Sequence, residues 1–212
     1  MSVIIKSPRE IALMRQSGKI ISELWTLLRA KTKPGVSTWE IDKFVGNYIY
    51  SRGGIPSSKG YEGFPGNICI SVNDALIHGI PSKKIILKEG DIVSYDIMVT
   101  LNGYVADACR TMPVGKVSPE AERLMKVTKE CFINGVKQVK AGVHLGDVSS
   151  AIEETAHEAG YTLTDLYTGH GVGREVHEDP YVPNVGKKGT GMLLKEGMTI
   201  ACSPDGNNLA IG

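Results

Sequence analysis

Three short stretches of this sequence return at a single interval. Lys33-Pro34-Gly35-Val36 returns as Lys140-Ala141-Gly142-Val143, Gly53 as Gly160, and Leu87-Lys88-Glu89-Gly90 as Leu194-Lys195-Glu196-Gly197, each 107 residues later. One shared interval on equivalent elements points to two related halves, about residues 1–103 and 104–212, with the second incomplete. No other feature constrains the fold as much. Whatever the first half folds into the second must echo, and a cleft between them is the natural place for a site.

The local signals fit that plan. Ser7-Pro8-Arg9-Glu10 is a capping box with proline at the first helical position, and Ile11, Met14, Ile21, Trp25 and Leu28 follow on one helix face. Ser37-Thr38-Trp39-Glu40 opens a second helix carrying Ile41, Phe44, Val45 and Tyr48, which stops near Gly53-Gly54. Strands are predicted over 67–72, 91–101 and 104–114, the last two joined by Asn102-Gly103, a two-residue hairpin turn. Ser118-Pro119-Glu120 opens a long helix to about residue 140, and another helix runs from about 147 to 160. Helix-helix-strands, twice, reads as a single α+β domain with helices over one face of a mostly antiparallel sheet. A net charge of +1 leaves no excess to recruit nucleic acid or an anionic membrane, and no apolar run approaches membrane-spanning length. Four widely spaced cysteines without a CxxC pair argue for a reduced, cytoplasmic protein and against a zinc–cysteine site.

Chemistry enters at the hairpin. With Asn102-Gly103 as the turn, Asp107 faces Met98, and Asp96 lies two residues along the same strand. Side chains alternate, so Asp96 and Asp107 share a face as diagonal neighbours, about 7–8 Å apart at the backbone. Their flanks are apolar: Ile92, Val93, Ile97, Met98 and Val99 on one strand, Val105 and Met112 on the other. Two acids so placed read as a solvated face, as a site for two divalent cations bridged by one carboxylate, or as an acid–base pair. The segment Gly169-His170-Gly171-Val172-Gly173-Arg174-Glu175-Val176-His177-Glu178-Asp179-Pro180 offers the imidazole that the second reading needs. Its glycines rule against a helix and allow close backbone approach.

At this point the motifs resemble a known family. Residues 61–81 (YEGFPGNICISVNDALIHGIP), the Asp96/Asp107 hairpin, residues 107–115 (DACRTMPVG), 169–180 (GHGVGREVHEDP) and 194–201 (LKEGMTIA) are similar to those of type I methionine aminopeptidases. The resemblance covers nearly the whole chain and implies the duplicated pita-bread fold. It implies metal-assisted hydrolysis of the first peptide bond of nascent proteins and peptides, with up to two divalent ions (manganese, iron, cobalt or zinc). The ribosome is a candidate partner. It makes Asp96, Asp107 and His170 metal ligands, with Asp107 bridging. It makes His78 and His177 histidines that position the substrate and stabilise the charged intermediate. Tyr61, Phe64 and Cys69 become walls of the methionine pocket, where residue type alone reads equally as ordinary core. His144 and His157 have no role in it, and His157 reads as a solvated helix residue.

The sequence also departs from the family. The pattern has five metal ligands and this chain shows three. Ser203 stands where a glutamate is expected and is the mate of Asp96 in the 107-residue interval; the last bridging glutamate would lie past residue 212. A serine hydroxyl supplies no anionic ligand, so reduced or lost activity is expected. A non-catalytic peptide-binding relative is the alternative. The strand expected over 198–202 lacks room for a full returning partner, as in a truncated or frameshifted copy, a relative that lost catalysis, or a rebuilt tail.

Overall fold

The computed structural model describes residues 3–164 and 167–202, and the backbone of 209–211. Ser203, on which the expected loss of a ligand rests, lies outside the described residues.

Helix α1 (Pro8–Lys31) begins where Ser7 accepts from the Glu10 amide while the Glu10 carboxylate accepts from the Ser7 amide; α2 (Thr38–Ser51) repeats the device with Ser37 and Glu40. Such caps contribute about 0.5–2 kcal/mol each and fix where a helix starts. Burial keeps the pair folded. Ile20, Ile21, Leu24, Trp25 and Leu28 of α1 and Ile41, Val45 and Ile49 of α2 are withdrawn from water, each large side chain contributing about 1.5–3 kcal/mol. They pack on an antiparallel sheet of β1 (Ile55–Pro56), β2 (Cys69–Val72), β3 (Ile92–Leu101) and β4 (Tyr104–Pro113). Strand β3 is its spine, pairing with β1 and β2 along one edge and with β4 along the other.

The second helical pair, α3 (Pro119–Gln138) and α4 (Leu145–Glu158), shares a core of Val127, Cys131, Leu145, Val148, Ile152 and Ala156. Beyond it lie β5 (Tyr161–Leu163), β6 (Gly169–Gly171), β7 (Glu178–Val182), β8 (Ile200–Ala201) and β9 (Leu209–Ile211). Strand β6 is central between β7 and β8, while β5 pairs with β9. Every strand pairing among the described residues is antiparallel. Hydrogen bonds echo the interval seen in the sequence. The Ser37–Ile86 bridge is matched by His144–Leu193, and Gly35 N–H to Leu87 O by Gly142 N–H to Leu194 O, both at 2.8 Å.

Boundaries differ from expectation where side chains cap or end an element. Helix α4 starts at Leu145 rather than near 147 because His144 caps it: the Asp147 carboxylate accepts from the His144 amide at 3.0 Å, and the His144 ring bonds Gly191 O at 2.9 Å. Residues 67 and 68 fall outside β2, since the Asp42 carboxylate claims their amides. The strand expected over 198–202 contracts to β8, which pairs with β6. The tail forms a three-residue strand, β9, paired with β5 and not with β8. His157 is exposed on α4. Among the described residues no helix is long and apolar enough to cross a membrane.

Candidate metal centre and peptide cleft

The hairpin sets the first half of the site. Asn102 (φ 53°) and Gly103 (φ 79°) both take left-handed backbone, as a type I′ turn requires. Met98 therefore pairs with Asp107 and Asp96 with Cys109, which places the two acids diagonally on one face. Cys69 on β2 pairs with Asp96 from the other side, so Cys69, Asp96 and Cys109 form a row across three strands.

The second half is carried by β6, whose His170 is flanked by Tyr181 of β7 and Ala201 of β8. The glycines on either side are steric necessities. A Cβ at Gly169 would strike the Ala201 carbonyl, and one at Gly171 the Asp179 carbonyl. A shift of register between His170 and Gly171 bends the strand there. Loop and hairpin are held together by Gly173 O, which accepts from the Val105 amide at 2.7 Å, and by a small apolar cluster of Met98, Val105, Val172 and Val176 with Met14.

His170 Nε2 thereby lies 3.3 Å from Asp107 Oδ2, with these side chains only 11% and 13% exposed. His170 Nδ1 lies 2.9 Å from Gly171 O. A carbonyl only accepts, so Nδ1 carries the hydrogen, and a neutral ring would turn the Nε2 lone pair toward a carboxylate oxygen. Two acceptors facing each other need a proton or a cation between them. Asp107 also meets the Asp96 carboxyl in a hydrogen bond; burial and then the Asp107 charge push the Asp96 pKa well above the carboxylate range. For His170, burial pulls the pKa down, but the bonds to Asp107 and Gly171 outweigh it and leave the ring above its ordinary value. Two carboxylates and one imidazole with unmet demand for positive charge fit a hard or borderline divalent cation. Among the described residues no three His, Cys, Asp or Glu side chains already surround a common point; the contacts are pairwise, with Asp107 in the middle.

All eight residues singled out in the sequence line one cavity of about 800 Å³: Tyr61, Phe64, Cys69, His78, Asp96, Asp107, His170 and His177. The His177 ring stands edge-on to His170 with centroids 4.3 Å apart, and its Nδ1 lies 2.8 Å from the Tyr61 hydroxyl. Burial and the neighbouring His170 lower its pKa. His78 occupies left-handed backbone (φ 55°), an uncommon state for a non-glycine residue. Its loop is anchored next door, where Ile70 donates to Gly79 O at 2.9 Å. Burial raises the Cys69 thiol to about 12, with the Asp96 and Asp107 charges adding to it.

Sequence reasoning passed over other lining residues, among them Trp25, Met98, Cys109, Phe132, Tyr167 and Tyr181. Period-two alternation would have found Cys109, two residues beyond Asp107, and the turn parity would have found Met98. Phe132 and Tyr181 reach the cavity only through tertiary packing and leave no local signal.

A family model described as metallopeptidase family M24 matches residues 12–210. A methionine aminopeptidase of Clostridium acetobutylicum is 48% identical over 202 residues, covering 95% of this chain and 81% of that protein. Methionine aminopeptidase 1 of Bacillus subtilis is 43% identical over the same shares. Among solved structures, a methionine aminopeptidase of Thermotoga maritima superposes with a TM-score of 0.92 at 39% identity, covering 94% of this chain and 80% of that one.

Proposed function

This chain belongs to metallopeptidase family M24, and from that membership we propose that it hydrolyses the first peptide bond of polypeptides that begin with methionine, in the cytoplasm. The observation that carries the reading is the His170–Asp107–Asp96 contact at the wall of a cavity large enough for a methionine side chain and the start of a peptide. Asp96, Asp107 and His170 would hold a divalent ion. Such an ion polarises a carbonyl and lowers the pKa of water, and an oxygen-rich site with one imidazole accepts manganese, iron, cobalt or zinc. Around it the chain's own groups divide the work. Tyr61, Phe64 and Cys69 wall the pocket for the methionine side chain. His78 and His177 orient the peptide and hydrogen-bond to the charge that develops at the scissile carbonyl. Tyr61, through its bond to His177, holds that ring in place. The ribosome, where nascent chains emerge, is the proposed partner.

Turnover by this polypeptide is proposed to be low. Asp96, Asp107 and His170 are ligands the resemblance implies, and Ser203, where the family pattern has a glutamate, adds no carboxylate. The matched bridges Ser37–Ile86 and His144–Leu193 support a single domain of two related halves, about 1–103 and 104–212. The test is cleavage of a Met-Ala-Ser peptide with added manganese or cobalt. Metal-dependent release of methionine that Asp107→Ala abolishes is the expected result. A rate that survives Asp107→Ala overturns the assigned site. Peptide affinity without turnover under any metal favours the non-catalytic alternative.

A further inference from the structure

The segment before α1 closes over the back of the histidine loop. Lys6 is 4% exposed, rare for a lysine. Its Nζ lies 2.5 Å from Oε2 of Glu178, with side chains only 3% and 5% exposed, and also donates to Ile4 O at 3.1 Å. The Lys6 amide donates to Gly197 O at 2.8 Å, fastening the segment to the turn before β8. The other Glu178 oxygen accepts from the amides of Arg174 at 2.8 Å and Glu175 at 3.2 Å. Glu178 therefore braces the turn 174–178 across its width, and the residue before it is His177. The fit leaves no slack: a Cβ at Gly173 would sit 2.5 Å from Lys6 Cε and 2.6 Å from Glu178 Oε1. A second tie grips the same loop, since Arg174 donates to the Tyr104 hydroxyl at 2.6 Å and lies 3.7 Å from Glu10 in the first turn of α1.

A buried ion pair is a poor way to gain stability, because stripping water from both ions offsets most of their attraction. A hydrophobic pair could hold the segment down but could not take up the two loop amides that converge on Glu178. We propose that Lys6 is a positioning residue: acting through Glu178, it fixes the turn 174–178 and so the place of the His177 imidazole in the cavity. The effect on turnover rests on the peptidase reading; the effect on geometry does not.

The test compares Lys6→Met, which keeps the stem and loses the charge, with Lys6→Arg, which keeps the charge. Lys188→Met, which breaks the exposed Lys188–Glu154 pair, serves as control. In folded protein, Lys6→Met is expected to lower kcat on the order of 10²-fold with KM little changed, since small misplacements of reacting groups cost that much. Lys6→Arg restores most of it, and in a His177→Ala background Lys6→Met causes no further loss. The ring resonances of His177, identified by their disappearance in His177→Ala, should shift in Lys6→Met and not in the control. Unmoved His177 resonances, or losses that add in the double variant, overturn the proposal. If Lys6→Met does not fold, Lys6→Met/Glu178→Gln, which leaves no lone buried charge, carries the same measurements. Should the parent show no turnover, the peptidase reading fails while the resonances still decide the role of Lys6.

Discussion

The same substitution, glycine to alanine, should have opposite signs at two places in this fold. Gly171 sits in β6, and an added Cβ would overlap the Asp179 carbonyl oxygen and lie 2.7 Å from the Asp179 carbonyl carbon and 2.9 Å from Glu178 O. Those atoms are β7 backbone, and they cannot retreat without loosening the pairing that holds His170. Overpacking of this kind costs about 1–3 kcal/mol. A domain of this size loses about 2–4 °C of Tm per kcal/mol, so Gly171→Ala should melt about 2–12 °C lower. Gly18 lies inside α1, where the nearest heavy atom to an added Cβ is Ala106 Cβ at 3.8 Å. Only helix propensity changes there, and alanine is favoured by about 0.8–1.0 kcal/mol, or about 2–4 °C. Thermal melts of both variants beside the parent, followed by circular dichroism at neutral pH, decide the matter. Gly171→Ala melting with the parent would refute the claim that backbone crowding fixes β6, and Gly18→Ala melting lower would refute the packing assigned to α1.

Three further outcomes follow from the site and the caps. Manganese at a hundredfold excess over its Kd should stabilise the protein by about 2.7 kcal/mol, about 5–11 °C in Tm, and Asp107→Asn should abolish the rise; an equal rise in the variant would place the ion elsewhere. Burial holds the thiols of Cys69 and Cys202 up at about 12 and about 11. The thiolate fraction of Cys69 at pH 8 is then on the order of 10⁻⁴, and mass spectrometry after iodoacetamide should find both labelled far more slowly than glutathione. The Glu10 carboxyl is lowered to about 2, chiefly by the Ser7 amide, with Tyr104 and the Ser7 hydroxyl assisting, and Glu40 is lowered by Ser37. A carboxyl pKa depressed by folding stabilises the native state above the unfolded value near 4.5 and loses that contribution as pH falls toward about 2. Replacing both by glutamine, which keeps the capping geometry, should flatten the Tm-versus-pH curve across that window; an unchanged slope would remove these carboxylates from the acid response.

Much of the site was legible because its geometry is set by parity. A two-residue turn at Asn102-Gly103 admits one register, and that register alone puts Asp96 and Asp107 on a common face. Ser7 and Ser37 declared the helix starts because a capping box is complete within four residues. His144 did not, since its capping role depends on Asp147 and on Gly191, 47 residues away. The resemblance supplied His78, Tyr61 and Phe64, which lie on irregular backbone that no periodicity marks. Lys6 was invisible for a related reason. A lysine before a helix reads as solvated, and only the folded chain brings Glu178 against it.

The two sets of side chains around the cavity stand on unlike foundations. His170 rides on a strand hydrogen-bonded to neighbours on both flanks, and Asp96 and Asp107 on strands of ten residues each. Tyr61 rides on a one-turn 3₁₀ helix, and His78 and His177 on loop backbone outside the helices and strands. Asp96, Asp107 and His170 are thus held by strand pairing, while His177 owes its place to the Lys6–Glu178 pair and the Tyr61 hydroxyl. On the proposed reading, loss of that brace would displace a group that orients the peptide while leaving the proposed cation ligands on their strands.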